Sequence, residues 1–195
     1  MSDIVRFHVP CKLEYTRMVE DFAELIASYL HVPQVHKNQL AQNLRAVMNE
    51  VFMNIVKHSN TAAIDEMVRF QFEMGMKFII ISIFDHGPGF QAESYYPPYP
   101  QYLFGRKFLL NKVLDGWVYY TILDPFTVSF TFEQGEFRDK ADILDTGVLQ
   151  DHGLGLSIIT KLMDYVTYTY IGEGKFDWKI VKNLAPQERK NNNSF

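Results

Sequence analysis

The chain has 195 residues, 47% hydrophobic and 22% charged, which suffices for the buried core of one domain carrying an inserted arm. A net charge of −4 without any Lys/Arg run argues against a nucleic-acid surface, and apolar runs such as residues 78–84 are too short to span a bilayer. A single cysteine, Cys11, excludes an intrachain disulfide and fits a reducing cytoplasm, and Met1-Ser2-Asp3 opens without the basic and apolar regions of a secretory leader.

Residues 4–9 read as a short strand stopped by Pro10. Between 13 and 30 the apolar positions Met18, Val19, Phe22, Leu25, Ile26 and Tyr29 recur at helical spacing, which predicts a helix with that stripe inward. Beyond Pro33 a second helix is expected over 36–58, with Leu40, Leu44, Val47, Val51 and Ile55 as its buried stripe. Residues 68–73 and 78–84 then form a hairpin over Met74-Gly75-Met76.

The stretch 91–151 reads as an irregular lid. Tyr95-Tyr96-Pro97-Pro98-Tyr99-Pro100 fits neither regular helix nor central strand. Residues 104–114 suggest a short helix, and 118–123 with 127–132 a hairpin around Asp124-Pro125. The aromatic residues between Tyr95 and Tyr120 serve either as a binding arm or, more simply, as the arm's own small core. Residues 133–150 are polar and acidic, so the arm is expected to order when nucleotide or partner binds. A helix follows over 155–164, with Leu156, Ile159, Leu162 and Met163 inward. A last hairpin pairs 165–171 with 176–181, and a polar tail runs from 186. There is no internal repeat. The sum is an α+β fold: a two-layer sandwich of a mixed, mostly antiparallel sheet covered on one face by helices, as a single domain with a long lid insertion.

Three short segments carry chemistry. Glu50 and Asn54 are four apart on the second helix, so they share a face beside its apolar stripe, and Lys57 and His58 continue it. An amide such as that of Asn54 offers a neutral oxygen to Mg²⁺, and a carboxylate such as that of Glu50 can take a proton from a hydroxyl attacking a phosphate. Asp85 ends an apolar strand, where a partly buried carboxylate needs a donor such as the exocyclic amine of adenine. Gly87 and Gly89 let the chain pass close to a ligand. His152, Gly153, Leu154 and Gly155 open a helix whose N–H groups and dipole attract phosphate. Each segment alone has a plain reading as a mid-helix Asn, a strand-to-loop turn or a glycine-rich helix start. Together they are the parts of an ATP site. Gly-x-Ser-x-Gly, His-Glu-x-x-His, Cys-x-x-Cys and a Gly-Lys-Ser/Thr phosphate loop are all missing, which weakens hydrolase and zinc readings.

Asn49-Glu50-x-x-x-Asn54-x-x-Lys57-His58 resembles the N box of the GHKL ATPase superfamily. Asp85-x-Gly87-x-Gly89 resembles its first glycine box and Gly153-x-Gly155-Leu156 its second. Within that superfamily the chain is most similar to the anti-sigma-factor serine kinases, in Pro10-Cys11-Lys12-Leu13-Glu14-Tyr15 and in Leu162-Met163-Asp164 before the terminal hairpin. The resemblance spans about residues 4–90 and 151–184. It implies the histidine-kinase-like ATPase fold and ATP with Mg²⁺, with Glu50 as general base, Asn54 on the metal, Asp85 on adenine and the glycines shaping the pocket. It also implies a STAS-type anti-anti-sigma protein as the phosphorylated client, a sigma factor as second partner, and leaves a homodimer open. A non-catalytic, nucleotide-gated binding module and a detached histidine-kinase catalytic domain are the competing readings. The sequence departs from the branch in two places. The segment 90–152 is longer and more aromatic, and Gly174-Lys175 stands where the branch has Gly-Thr.

Overall fold

The computed structural model describes residues 2–87, 89–135 and 154–184. Eight strands form a single sheet: β1 (Asp3–Pro10), β2 (Met67–Met74), β3 (Phe78–His86), β4 (Lys107–Val113), β5 (Gly116–Ile122), β6 (Thr127–Gln134), β7 (Tyr165–Gly172) and β8 (Lys175–Asn183). Their order across the sheet is β1-β2-β3-β8-β7-β6-β5-β4, and every pairing of these strands is antiparallel. Helices α1 (Thr16–Tyr29), α2 (Gln34–His58) and α3 (Leu154–Leu162) supply the second layer of an α+β sandwich.

The register shows which face each residue takes. Along β3, Ile79, Ile81, Ile83 and Asp85 alternate toward the helices, opposite Ile180, Trp178 and Phe176 of β8 and Phe72 and Phe70 of β2. The intervening positions turn to the other face, where Ser82 pairs with Gln71 and Lys179, and the Arg69 guanidinium sits 4.9 Å from the Phe84 ring centre. On the helix side Phe70 stacks on Phe7 at 4.6 Å and tilts against Phe52 of α2 at 6.2 Å. Phe70→Ala is therefore expected to lower stability by about 3–5 kcal/mol, read from the midpoint of chemical denaturation at unchanged slope.

The expected α2 stripe is buried in full: Leu40, Leu44, Val47, Val51 and Ile55. The α1 stripe is rotated from its expected position. Val19, Ala23, Ile26 and Ala27 are buried, whereas Met18, Leu25 and Tyr29 are exposed. Two alanines let α1 lie close to α2, and polar groups fix the pair. Arg45 of α2 donates to Glu24 at 2.6 Å and Glu20 at 3.1 Å, and the Asn49 amide donates to Glu20. The fully buried stripe of α2 sets its rotation, and these bonds join its flank to α1.

The stretch expected to be an irregular lid is largely sheet. Residues 107–113 form strand β4, not a helix. Phe104 and Phe108 are four apart, as on a helix, but Phe108 stacks on Tyr120 of β5 at 5.1 Å, and cross-strand pairing overrides local spacing. The β5–β6 hairpin turns where expected, with Asp124 Oδ1 accepting from the Phe126 N–H at 2.8 Å. β6 pairs with β7, so the insertion widens the sheet beyond the terminal hairpin. Residues 91–106 are tied down as well. Ala92, Tyr99 and Leu103 are buried, the Tyr99 hydroxyl donates to the Phe90 carbonyl at 2.7 Å, and the Tyr99 N–H donates to the Pro125 carbonyl at 2.7 Å. Of the aromatic residues here, Tyr99 and Tyr120 are buried in the common core, whereas Tyr95, Tyr96 and Tyr102 are exposed. The acidic stretch 136–150 and the polar tail from 186 lie outside the described residues.

Candidate nucleotide site

α2 presents Glu50, Asn54, Lys57 and His58 to a cavity of about 600 Å³. Its opposite wall is the start of α3, Leu154, Gly155 and Leu156, with Phe90 and Leu110 closing the side. The two helices meet at Gly155. A methyl carbon placed on Gly155 would lie 2.6 Å from Glu50 Oε2 and 3.4 Å from Asn54 Nδ2, so a larger residue at this position would push the Glu50 carboxylate aside. Residues more than a hundred positions apart in sequence thereby line one cavity. Gly155→Ala should leave folding intact, since alanine favours the helix by about 1 kcal/mol. It should displace the Glu50 carboxylate and slow any phosphoryl transfer on the order of ten- to a hundredfold; paired melting and single-turnover measurements check this.

A second cavity of about 190 Å³ adjoins the first and shares Asn54, His58, Phe90 and Leu156 with it. Asp85, Gly87 and Gly89 line one side, Tyr168 of β7 and Trp178 of β8 the other. Asp85 is buried, and burial raises its carboxyl to about 7. Its hydrogen-bond partner, the Tyr168 hydroxyl, lies 3.5 Å from Oδ1, a long contact that offsets little of the desolvation. Asp177, on the other face of β8, is raised by burial to about 6. Gly89 has φ +84°, and a methyl there would meet the Phe176 ring at 2.7 Å. Gly87 does not share that demand: a methyl would meet the Tyr168 oxygen at an ordinary 3.6 Å.

The structure thus brings Glu50, Asn54, Lys57, His58, Leu154 and Gly155 around the larger cavity, and Asn54, His58, Asp85, Gly87 and Gly89 around the smaller. His152 and Gly153 lie outside the described residues. The sequence reading missed Tyr168, Trp178, Phe90 and Leu110. Alternation along the last hairpin marks Tyr168 and Trp178 as inward, but their pairing with each other, and so their place over Asp85, depends on register. Lys175 pairs with His86, the neighbour of Asp85, so it sits on the other face of the sheet. The hydroxyl beside Asp85 comes from Tyr168 instead.

No group of three or more His, Cys, Asp or Glu residues suited to a metal occurs among the described residues. A cation here would draw on the Asn54 amide, phosphate oxygens and water, which suits Mg²⁺. Among the described residues no helix is long and apolar enough to cross a membrane.

The fold is an α+β sandwich in which two adjoining cavities lie between α2, the start of α3 and the ends of β3, β7 and β8. The model of one family, the histidine kinase-like ATPase domain, matches residues 9–176, and the chain belongs to that family. Domains of this kind bind ATP, usually with Mg²⁺, and serve ATP-dependent phosphotransfer or ATP hydrolysis. A search of curated proteins found no match.

Proposed function

We propose that the protein is an ATP-dependent serine protein kinase acting as a regulatory switch, in the manner of the anti-sigma-factor kinases. The observation that carries this reading is the apposition of Glu50 and Asn54 to Gly155 at the mouth of the Asp85 cavity. Phosphoryl transfer needs positioning and charge neutralisation more than covalent participation by the protein. Glu50 takes the proton of the attacking serine hydroxyl as its oxygen bonds to the γ-phosphorus, the bond from that phosphorus to the β–γ bridging oxygen breaks, and ADP leaves. Asn54 would hold Mg²⁺ through its amide oxygen, and the ion would neutralise phosphate charge. Lys57 and His58 lie on the same wall to meet phosphate oxygens, and the start of α3 lines the other side. Asp85 accepts from the adenine amine.

By resemblance the client is a STAS-type anti-anti-sigma protein and the second partner a sigma factor, with a homodimer left open, and the single cysteine fits a reducing cytoplasm. One observation favours a non-catalytic, nucleotide-gated binding module: the insertion is built into the sheet as β4–β6 and exposes Leu109 and Leu114. Capture of partners with Mg-ATP, followed by phosphosite mapping, separates the two. A phosphoserine on a recovered protein supports the kinase. Stable capture with no turnover of ATP supports the module.

A further inference from the structure

We infer that Tyr168 is a specificity-determining residue of the smaller cavity: its hydroxyl and the Asp85 carboxylate form an acceptor pair that selects a purine with an amino group at position 6 over one with a carbonyl oxygen there. This rests on the nucleotide-binding reading above and names the residue that sets base choice.

The Tyr168 ring is held on both sides. It stacks on Phe176 at 4.8 Å with planes 14° apart, and packs on Trp178 at 4.5 Å and 36°. So held, its hydroxyl is directed at Asp85 Oδ1, 3.5 Å away, and lies beside Gly87. A phenol has one hydrogen to give and lone pairs to receive with. Once that hydrogen goes to the ionised Asp85, both groups can only accept. Adenine offers a two-hydrogen amine to such a pair. Hypoxanthine and guanine offer an oxygen, which leaves buried acceptors facing a third acceptor, and an unsatisfied buried polar group is costly.

The bond, long at 3.5 Å, also gives Asp85 a small bias. A donor to the charged form favours ionisation, against the burial that raises the carboxyl to about 7. Among the described residues, the other titratable groups near this pair include Cys11, His58 on the cavity wall, His86 next in β3, Tyr99 beside Tyr168, and Asp177 of β8, whose charge raises Asp85 further. None of these occupies the position of the Tyr168 hydroxyl.

The test is calorimetric titration of the full chain and its Tyr168→Phe variant with Mg-ADP and Mg-IDP between pH 6 and 9. Phenylalanine keeps the stacked ring, so the fold should persist. The wild type should prefer ADP. In the variant that preference should fall roughly five- to tenfold, and the pH midpoint of ADP binding should move upward because the carboxylate has lost a donor. Parallel weakening toward both nucleotides with an unmoved midpoint would mark Tyr168 as mere packing and overturn the assignment. If the variant fails to fold, the wild type alone decides: its ADP preference should shrink as pH falls through the Asp85 midpoint, and a constant preference overturns the idea. A wild type that binds IDP but shows no preference for ADP defeats this inference alone, whereas one that binds neither defeats the nucleotide reading and this inference with it.

Discussion

Glu50→Gln is expected to reduce phosphoryl transfer by a factor on the order of 10²–10⁴ while leaving nucleotide affinity unchanged or slightly tighter. Glutamine keeps the shape of the side chain packed against Gly155, so α2 and α3 stay in place. It cannot take a proton. Removing a negative charge beside the start of α3 also removes repulsion toward phosphate, so binding has no reason to weaken. Single-turnover transfer from labelled ATP, set beside equilibrium binding of Mg-ADP, reads the two effects apart. A variant that transfers phosphate at the wild-type rate would remove Glu50 from the chemistry. One that neither binds nor transfers would make Glu50 a structural member of the cavity wall.

How much of this was legible follows from where each residue takes its instructions. The α2 face was readable because Leu44, Val47, Val51 and Ile55 keep a strict helical step, so Glu50 and Asn54 had to lie beside the core. The step from Glu50 to Gly155 was readable only as a resemblance, since no local rule predicts which distant helix start meets α2. The α1 stripe misled because apolar residues outnumber the positions that can be buried: Leu25 and Tyr29 fit the helical period yet stay exposed, and small Ala23 and Ala27 take the interface. β4 was misread because a short apolar run carries no reliable period until a neighbour such as β5 supplies the ladder. Tyr168 escaped for a related reason. Inward alternation along β7 was visible, but the Tyr168–Trp178 register and the β3–β8 pairing that carries it to Asp85 are decided by the whole sheet.

The pH dependence of Asp85 leads to a second large effect, of opposite sign for stability and for binding. An aspartate in the unfolded chain titrates near 3.9, whereas burial holds Asp85 at about 7 in the folded protein. Between those values the folded state binds the extra proton, so this group's contribution to stability is complete below about pH 4 and is lost as pH rises to about 7. Asp85→Asn removes the titration, and the amide oxygen of the variant side chain still accepts from Tyr168. The variant should be more stable than the wild type above pH 7, on the order of 2–4 kcal/mol, and lose that advantage near pH 4. Adenine binding moves the other way. The amide offers a weaker acceptor and can turn its own N–H₂ toward the base, so affinity should drop by about 1–3 kcal/mol at pH 8. In the wild type, binding requires the ionised carboxylate, so ADP affinity should be roughly tenfold lower at pH 6 than on its plateau above pH 8, and the variant should show no such slope. Denaturation and calorimetry of both proteins at pH 4, 6 and 8 test the pair of claims. Equal stability of the two proteins at pH 8 would mean that the Asp85 charge is well solvated in the fold, and a wild-type affinity flat in pH would mean that Asp85 does not meet the base.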